Sequence, residues 1–247
     1  MTVSPCVVAV DDERFGASAA DVVSSRLPDL CPRLGVATGG TPTRLYTELA
    51  RRSRAGEIDL SEATLVSLDE YVGLGAGDAR SYAAYVRTVI ADPFRVPRQN
   101  VVVPYGLAAD PDGEAEAFDA RITALGGVDV QILGIGGNGH LAFNEPGSPF
   151  DSQTRVVTLT DETRSDNARF FDGVVADVPR RAITQGLATI GGARSIVLLA
   201  MGSHKAVALR AALRGPVTPD VPASMLQEHD DVTVVADHAA ARLLTDS

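Results

Sequence analysis

The chain has 247 residues, 45% of them hydrophobic, and a formal net charge of -10. That size suits one large α/β domain or two small ones, and the acidic balance argues against a nucleic-acid partner, whose phosphate backbone calls for a basic surface. A small anionic substrate stays open, because a few well-placed cations suffice locally.

The residues from Met1 to Cys6 carry neither the basic flank nor the apolar stretch of a secretion signal. No run approaches the roughly 20 apolar residues of a membrane span, so a cytoplasmic protein with no membrane partner is expected. A strand is predicted at 6–10 and a helix at 17–27. Cys6 and Cys31 lack metal-ligand spacing and read as buried free thiols. The next apolar run, 34–37, leads into Thr38, Gly39, Gly40, Thr41 and Pro42 and a helix at 42–52. Glycines let backbone approach a ligand, Thr41 is a candidate helix cap, and Pro42 suits a first turn. The N–H groups and dipole of such a helix start favour phosphate; a plain tight turn is the alternative.

A strand at 63–68 then meets Asp69, Glu70 and Tyr71, a pair of carboxylates in a fairly apolar stretch that continues through Val72, Gly73 and Leu74. A partly desolvated carboxylate is a good proton-abstracting base; a solvated turn is the competing reading. Helices are predicted at 80–90 and 114–125, with a strand at 101–103 between them. The strand at 128–133 opens a loop, Gly134 to His140, whose Gly134, Gly136 and Gly139 match the G-x-G-x-x-G dinucleotide pattern. The context fails that pattern, because a dinucleotide loop opens a long helix and here Pro146 and Gly147 follow at once. The loop instead presents His140, with Glu145 near enough in sequence to orient it as an acid–base unit.

The stretch 160–181 is polar, contains Phe170 and Phe171, and reads either as a helical flap over a site or as a surface helix. A strand at 195–200 leads to Gly202, Ser203, His204 and Lys205, then a helix at 204–213, and a last strand is predicted at 232–236. Lys205 is the single lysine among 22 basic residues. Lysine is a compact point charge and arginine a broad fork, so a lone lysine marks a candidate tight anion site. With no linker or charge run to divide it, the chain reads as one domain, 1–247: an α/β, three-layer, mainly parallel sheet with helices on both faces. Ligands of such sheets bind beyond the carboxyl ends of the strands, where all four clusters fall. Four histidines and no H-E-x-x-H make a catalytic zinc site improbable.

The stretches 37–42, 68–74, 133–147, 163–171, 202–206 and 222–227, in this order, resemble the glucosamine-6-phosphate deaminase family. The related 6-phosphogluconolactonases are less similar after His140, where Phe143, Asn144, Glu145 and Pro146 favour the deaminase. The resemblance implies a sheet of the deaminase/ribose-phosphate isomerase type and conversion of glucosamine 6-phosphate to fructose 6-phosphate and ammonia. It implies a small sugar phosphate as partner, no metal or organic cofactor, and a monomer or homo-oligomer. By the same resemblance, His140 opens the sugar ring, oriented by Glu145, and Asp69 moves a proton from C2 to C1. Thr38, Gly39, Gly40 and Thr41 hold the phosphate, with charge from Arg169 and Lys205. Many relatives carry Asp where this chain has Asn138, which bears on rate rather than reaction type. Regulated members bind N-acetylglucosamine 6-phosphate through a Ser, an Arg and a Lys; Ser148 and Arg155 match, but Val157 stands at the lysine position. Lactone hydrolysis is the rival enzymatic reading. A sugar-phosphate-sensing module is a further one, expected to need a DNA-binding segment for which the chain has no room.

Overall fold

A computed structural model describes residues 4–244. In chain order its elements begin with β1 (Cys6–Val10), α1 (Phe15–Ser24), β2 (Arg33–Val36), α2 (Gly40–Ala55), β3 (Thr64–Ser67) and β4 (Asp69–Tyr71). Next come α3 (Tyr82–Tyr85), continued by a π-helical segment (Val86–Ala91) into α4 (Asp92–Phe94), then β5 (Val101–Val102), α5 (Pro111–Ala124) and β6 (Val130–Gly134). The remainder holds β7 (Arg155–Thr158), α6 (Asp161–Asn167), β8 (Arg181–Thr184), α7 (Leu187–Gly191), β9 (Ser195–Ala200), α8 (Ala206–Arg214), β10 (Val232–Asp237) and α9 (His238–Ala241).

Seven strands form one sheet in the order β1-β10-β9-β6-β2-β3-β5, and every pairing in it is parallel. β9 and β10 are buried at all six positions, as strands covered on both faces must be. Helix α1 supplies part of that cover through Phe15, Ala19, Ala20 and Val23, all fully buried. Fully burying a side chain the size of Val23 or Phe15 stabilises by about 1.5–3 kcal/mol. The core is correspondingly rich in such residues, among them Leu34, Leu65, Ile132 and Leu198. No helix among the described residues is long and apolar enough to cross a membrane.

Two expectations need correction. Cys6 and Cys31 are both exposed rather than buried. β1 is an edge strand, so the face that carries Cys6 lacks the cover that the inner strands have, and Cys31 lies in the loop before β2. The solvated turn weighed for Asp69 to Tyr71 is instead a buried strand of a second, antiparallel sheet, ordered β4-β8-β7. A smaller apolar cluster joins this sheet to the segment around α6 and to the loop between β6 and β7, which supplies Phe143: Tyr71, Phe143, Leu159, Ala168, Phe171, Val178 and Ala182.

The order of the large sheet reverses at β2 and β6. From β2 the chain moves outward through β3 to β5, then returns to β6 on the other side of β2 and continues outward through β9. The loops leaving β2 and β6 therefore diverge at the carboxyl edge, which opens a crevice there.

Candidate active site

The loop after β2 is held from below. Tyr46, buried in α2, donates its hydroxyl to the Ala37 carbonyl at 2.8 Å and accepts the Ala37 N–H at 3.0 Å. The chain then turns through Gly39, whose φ of 111° lies in a region that favours glycine. The cap position expected for Thr41 falls to Gly39; Thr41 lies inside the first turn of α2, one residue after Gly40. First-turn N–H groups have no acceptor within the helix, so Gly40 and Thr41 line the crevice as donors for an anion.

Across the crevice stands Asp69, 5% exposed. Burial, and secondarily the adjacent Glu70, push its carboxyl well above the usual aspartate range. Glu70 has a different task. Its carboxylate accepts the backbone N–H of Tyr71 at 2.8 Å, Tyr82 at 3.1 Å and Ala83 at 2.8 Å, which ties β4 to the start of α3. One of the two neighbouring carboxyls lines the cavity and the other is spent on the backbone.

The glycine loop after β6 closes on itself: Gly136 N–H donates to the His140 carbonyl at 3.0 Å, and Gly139 N–H to the Gly136 carbonyl at 3.1 Å. A Cβ on residue 136 would lie 2.3 Å from the imidazole, so only glycine leaves room for the ring. No long helix follows, in keeping with the rejected dinucleotide reading. His140 Nδ1 is buried and 3.6 Å from Glu145 Oε2. Asn138 Nδ2 donates to the same Oε2 at 2.8 Å, and Asn138 Oδ1 accepts the His140 N–H at 3.2 Å. Burial pushes Glu145 up, but contacts with His140, Thr163 and Asn138 outweigh it and hold the carboxyl down at about 2. Glu145 is thus an anion at neutral pH and orients rather than protonates.

Two cations complete the crevice. Lys205 ends a 3-10 turn after β9, and burial lowers its pKa from the ordinary lysine value, with Asp166 opposing and Arg169 adding to the shift. Arg169 stacks over Phe170 at 4.8 Å. Thr38, Gly39, Gly40, Thr41, Asp69, His140, Arg169 and Lys205 all line one cavity of about 210 Å³. Asn138 and Glu145 do not line it; they stand behind His140. No group of three or more His, Cys, Asp or Glu among the described residues is placed to hold a metal ion.

The family model of glucosamine-6-phosphate isomerases/6-phosphogluconolactonase matches residues 12–235. The chain belongs to this family. It is 47% identical to a glucosamine-6-phosphate deaminase of Cutibacterium acnes, over 97% of this chain and 92% of that one. It is 50% identical to another of Rhodopirellula baltica, over 85% and 84%. A solved structure described as a monomeric glucosamine-6-phosphate deaminase superposes with a TM-score of 0.92 at 38% identity, covering 96% of this chain and 99% of that one. The 6-phosphogluconolactonase of Trypanosoma cruzi superposes with a TM-score of 0.79 at 20% identity, over 100% and 99%, a likeness of fold alone.

Several residues that line this family member's cavity, chiefly Tyr82, Thr163 and Asn167, are not marked out by the sequence. Tyr82 donates to the Tyr71 hydroxyl at 3.2 Å, and the two rings lie 4.9 Å apart. Its signal in the sequence is slight, an aromatic residue in an apolar helix start. Of the paired phenylalanines, Phe171 is buried in the small cluster while Phe170, 42% exposed, lines the cavity.

Proposed function

We propose that the protein isomerises and deaminates glucosamine 6-phosphate, giving fructose 6-phosphate and ammonia with uptake of one water. The observation that carries this reading is a single cavity in which a buried, proton-accepting Asp69 and a carboxylate-backed His140 share space with a helix start and two cations. The distribution fits a molecule with a reactive end and a phosphate end. In this reading the phosphate sits on the N–H groups of Gly40 and Thr41, with Lys205 and Arg169 balancing its charge. His140 moves a proton between O1 and the ring oxygen, which opens the pyranose. Asp69 then takes the C2 proton and returns it to C1, through an enolamine. The resulting C2 imine adds water and releases ammonia.

The single-domain reading is supported by the site itself, since Asp69 belongs to the small sheet and the phosphate loop to the large one. The lid reading of 160–181 is supported by Thr163, Asp166, Asn167, Arg169 and Phe170, which border the cavity from α6 and the turn that follows it. A phosphorylated sugar as substrate assigns the protein to the cytoplasm. The deciding experiment is to incubate the purified protein with glucosamine 6-phosphate without added metal. Ammonia and fructose 6-phosphate are expected in equal amounts; no ammonia but rapid hydrolysis of 6-phosphogluconolactone would reassign the chain.

Activation by N-acetylglucosamine 6-phosphate is expected to be absent. Arg155 already donates to Asn144 Oδ1 at 2.8 Å and to Ser148 Oγ at 3.3 Å. Val157, in the lysine position, is half-buried against the small apolar cluster and offers no charge. A ligand without differential affinity for two states cannot shift them. Saturation by substrate should therefore be hyperbolic with or without N-acetylglucosamine 6-phosphate; a sigmoidal curve that the acetylated sugar straightens would contradict this.

A further inference from the structure

The two oxygens of Glu145 are held by different parts of the chain. Oε2 accepts from Asn138 in the same loop, whereas Oε1 accepts from the Thr163 hydroxyl in α6, 18 residues away. The direction of that second bond is fixed by its neighbour. Thr160 Oγ1, which caps α6 by accepting the Thr163 N–H at 3.1 Å, donates its own proton to Thr163 Oγ1 at 3.0 Å. The Thr163 hydroxyl proton is thereby left for the carboxylate. Behind these contacts, His140 Nδ1 is buried with no hydrogen-bond partner, and Glu145 Oε2 is the acceptor nearby at 3.6 Å.

We propose that Thr163 is a positioning residue: its hydroxyl, delivered by α6, holds Glu145 against His140 Nδ1 and so selects the ring tautomer with the proton on Nδ1. A carboxylate beside one ring nitrogen places the proton there, and the other nitrogen is left as the acceptor. Nε2 then serves the sugar. In this chain the role is heightened because Asn138 is neutral and cannot itself anchor an imidazolium by charge. The inference rests on the proposed reaction only for its kinetic part; the tautomer is a property of the free protein.

The test compares Thr163→Val, which keeps the shape without the hydroxyl, with Thr163→Ser, which keeps the hydroxyl. Losing a hydrogen bond to a charged group should cut kcat by about tenfold or more in the valine variant. KM should stay within about twofold, because the phosphate contacts are intact, and serine should restore most of the rate. The second readout is the ¹⁵N signature of the His140 ring in unliganded protein, expected as Nδ1–H in wild type and serine and as a mixture in valine. Equal losses in valine and serine would assign the effect to the methyl group and overturn the proposal. So would an unchanged ring signature in valine. If the valine variant does not fold, Thr163→Ala replaces it in both measurements. If wild type releases no ammonia, the reaction assignment fails while the ring signatures still decide the role of Thr163.

Discussion

Asp69→Asn is expected to lower kcat by about 10²–10⁴-fold, the usual contribution of a proton-transfer base. The amide keeps the shape of the carboxyl and loses its basicity, so KM should change little. The same substitution should raise the melting temperature. Burial lifts the Asp69 pKa above its unfolded value, so at low pH both states are protonated and no penalty exists. As pH rises past the ordinary aspartate range, the unfolded chain ionises first and stability is lost, until the folded group ionises as well. The asparagine variant does not lose stability in this way. Its gain in melting temperature should be larger at pH 7 than at pH 4. Wild-type kcat/KM should fall on acidification at a pH above the normal carboxylate range. Retained exchange of solvent deuterium into C1 by the variant would remove Asp69 from the role.

Lys205→Arg is expected to raise KM by about 10-fold to 100-fold although charge is conserved, the span of one or two charge-assisted contacts. Lys205 is half-buried in the cavity wall, Arg169 already occupies the neighbouring ground, and Asp166 lies close enough to affect its titration. A guanidinium is wider than an ammonium and needs more hydrogen-bond acceptors in its plane. Placed here, it would crowd the phosphate or turn toward Asp166. Isothermal titration with substrate, or KM itself, reads the effect. An unchanged value would make the lone lysine an accident of composition.

Much of the frame is legible in the sequence because parallel strands covered on both faces must be continuously apolar. β1 and β9 coincide with the expected 6–10 and 195–200. Helix ends moved by one to four residues, as at α2, which runs on past 52 to Ala55 and stops where Gly56 adopts a left-handed conformation. The small sheet is hidden. β4, β7 and β8 have three or four residues each, and Arg155 and Arg181 open two of them, so no apolar run marks them. In the site, glycine loops and charged residues after strands can be read because each is odd for its local surroundings. Thr163 cannot be found in this way. A hydroxyl in a polar helix is ordinary, and what singles it out is a carboxylate that the fold brings beside it from another loop.

The division of the site between two sheets gives the enzyme a ruler. Only Leu68 separates β3 from β4, yet the first belongs to the large sheet and the second to the small one. In the proposed binding mode the phosphate rests chiefly on the loops after β2 and β9 of the large sheet and Asp69 acts from the small sheet, so the span between them is set by how the two sheets pack and not by any one loop. On the proposed chemistry that span is gauged to the carbons between C2 and the phosphate of a six-carbon sugar. A five-carbon sugar phosphate seated in the cradle would place its C1, not its C2, beside Asp69. It could occupy the cavity as an inhibitor but would leave its own C2 out of reach of the base.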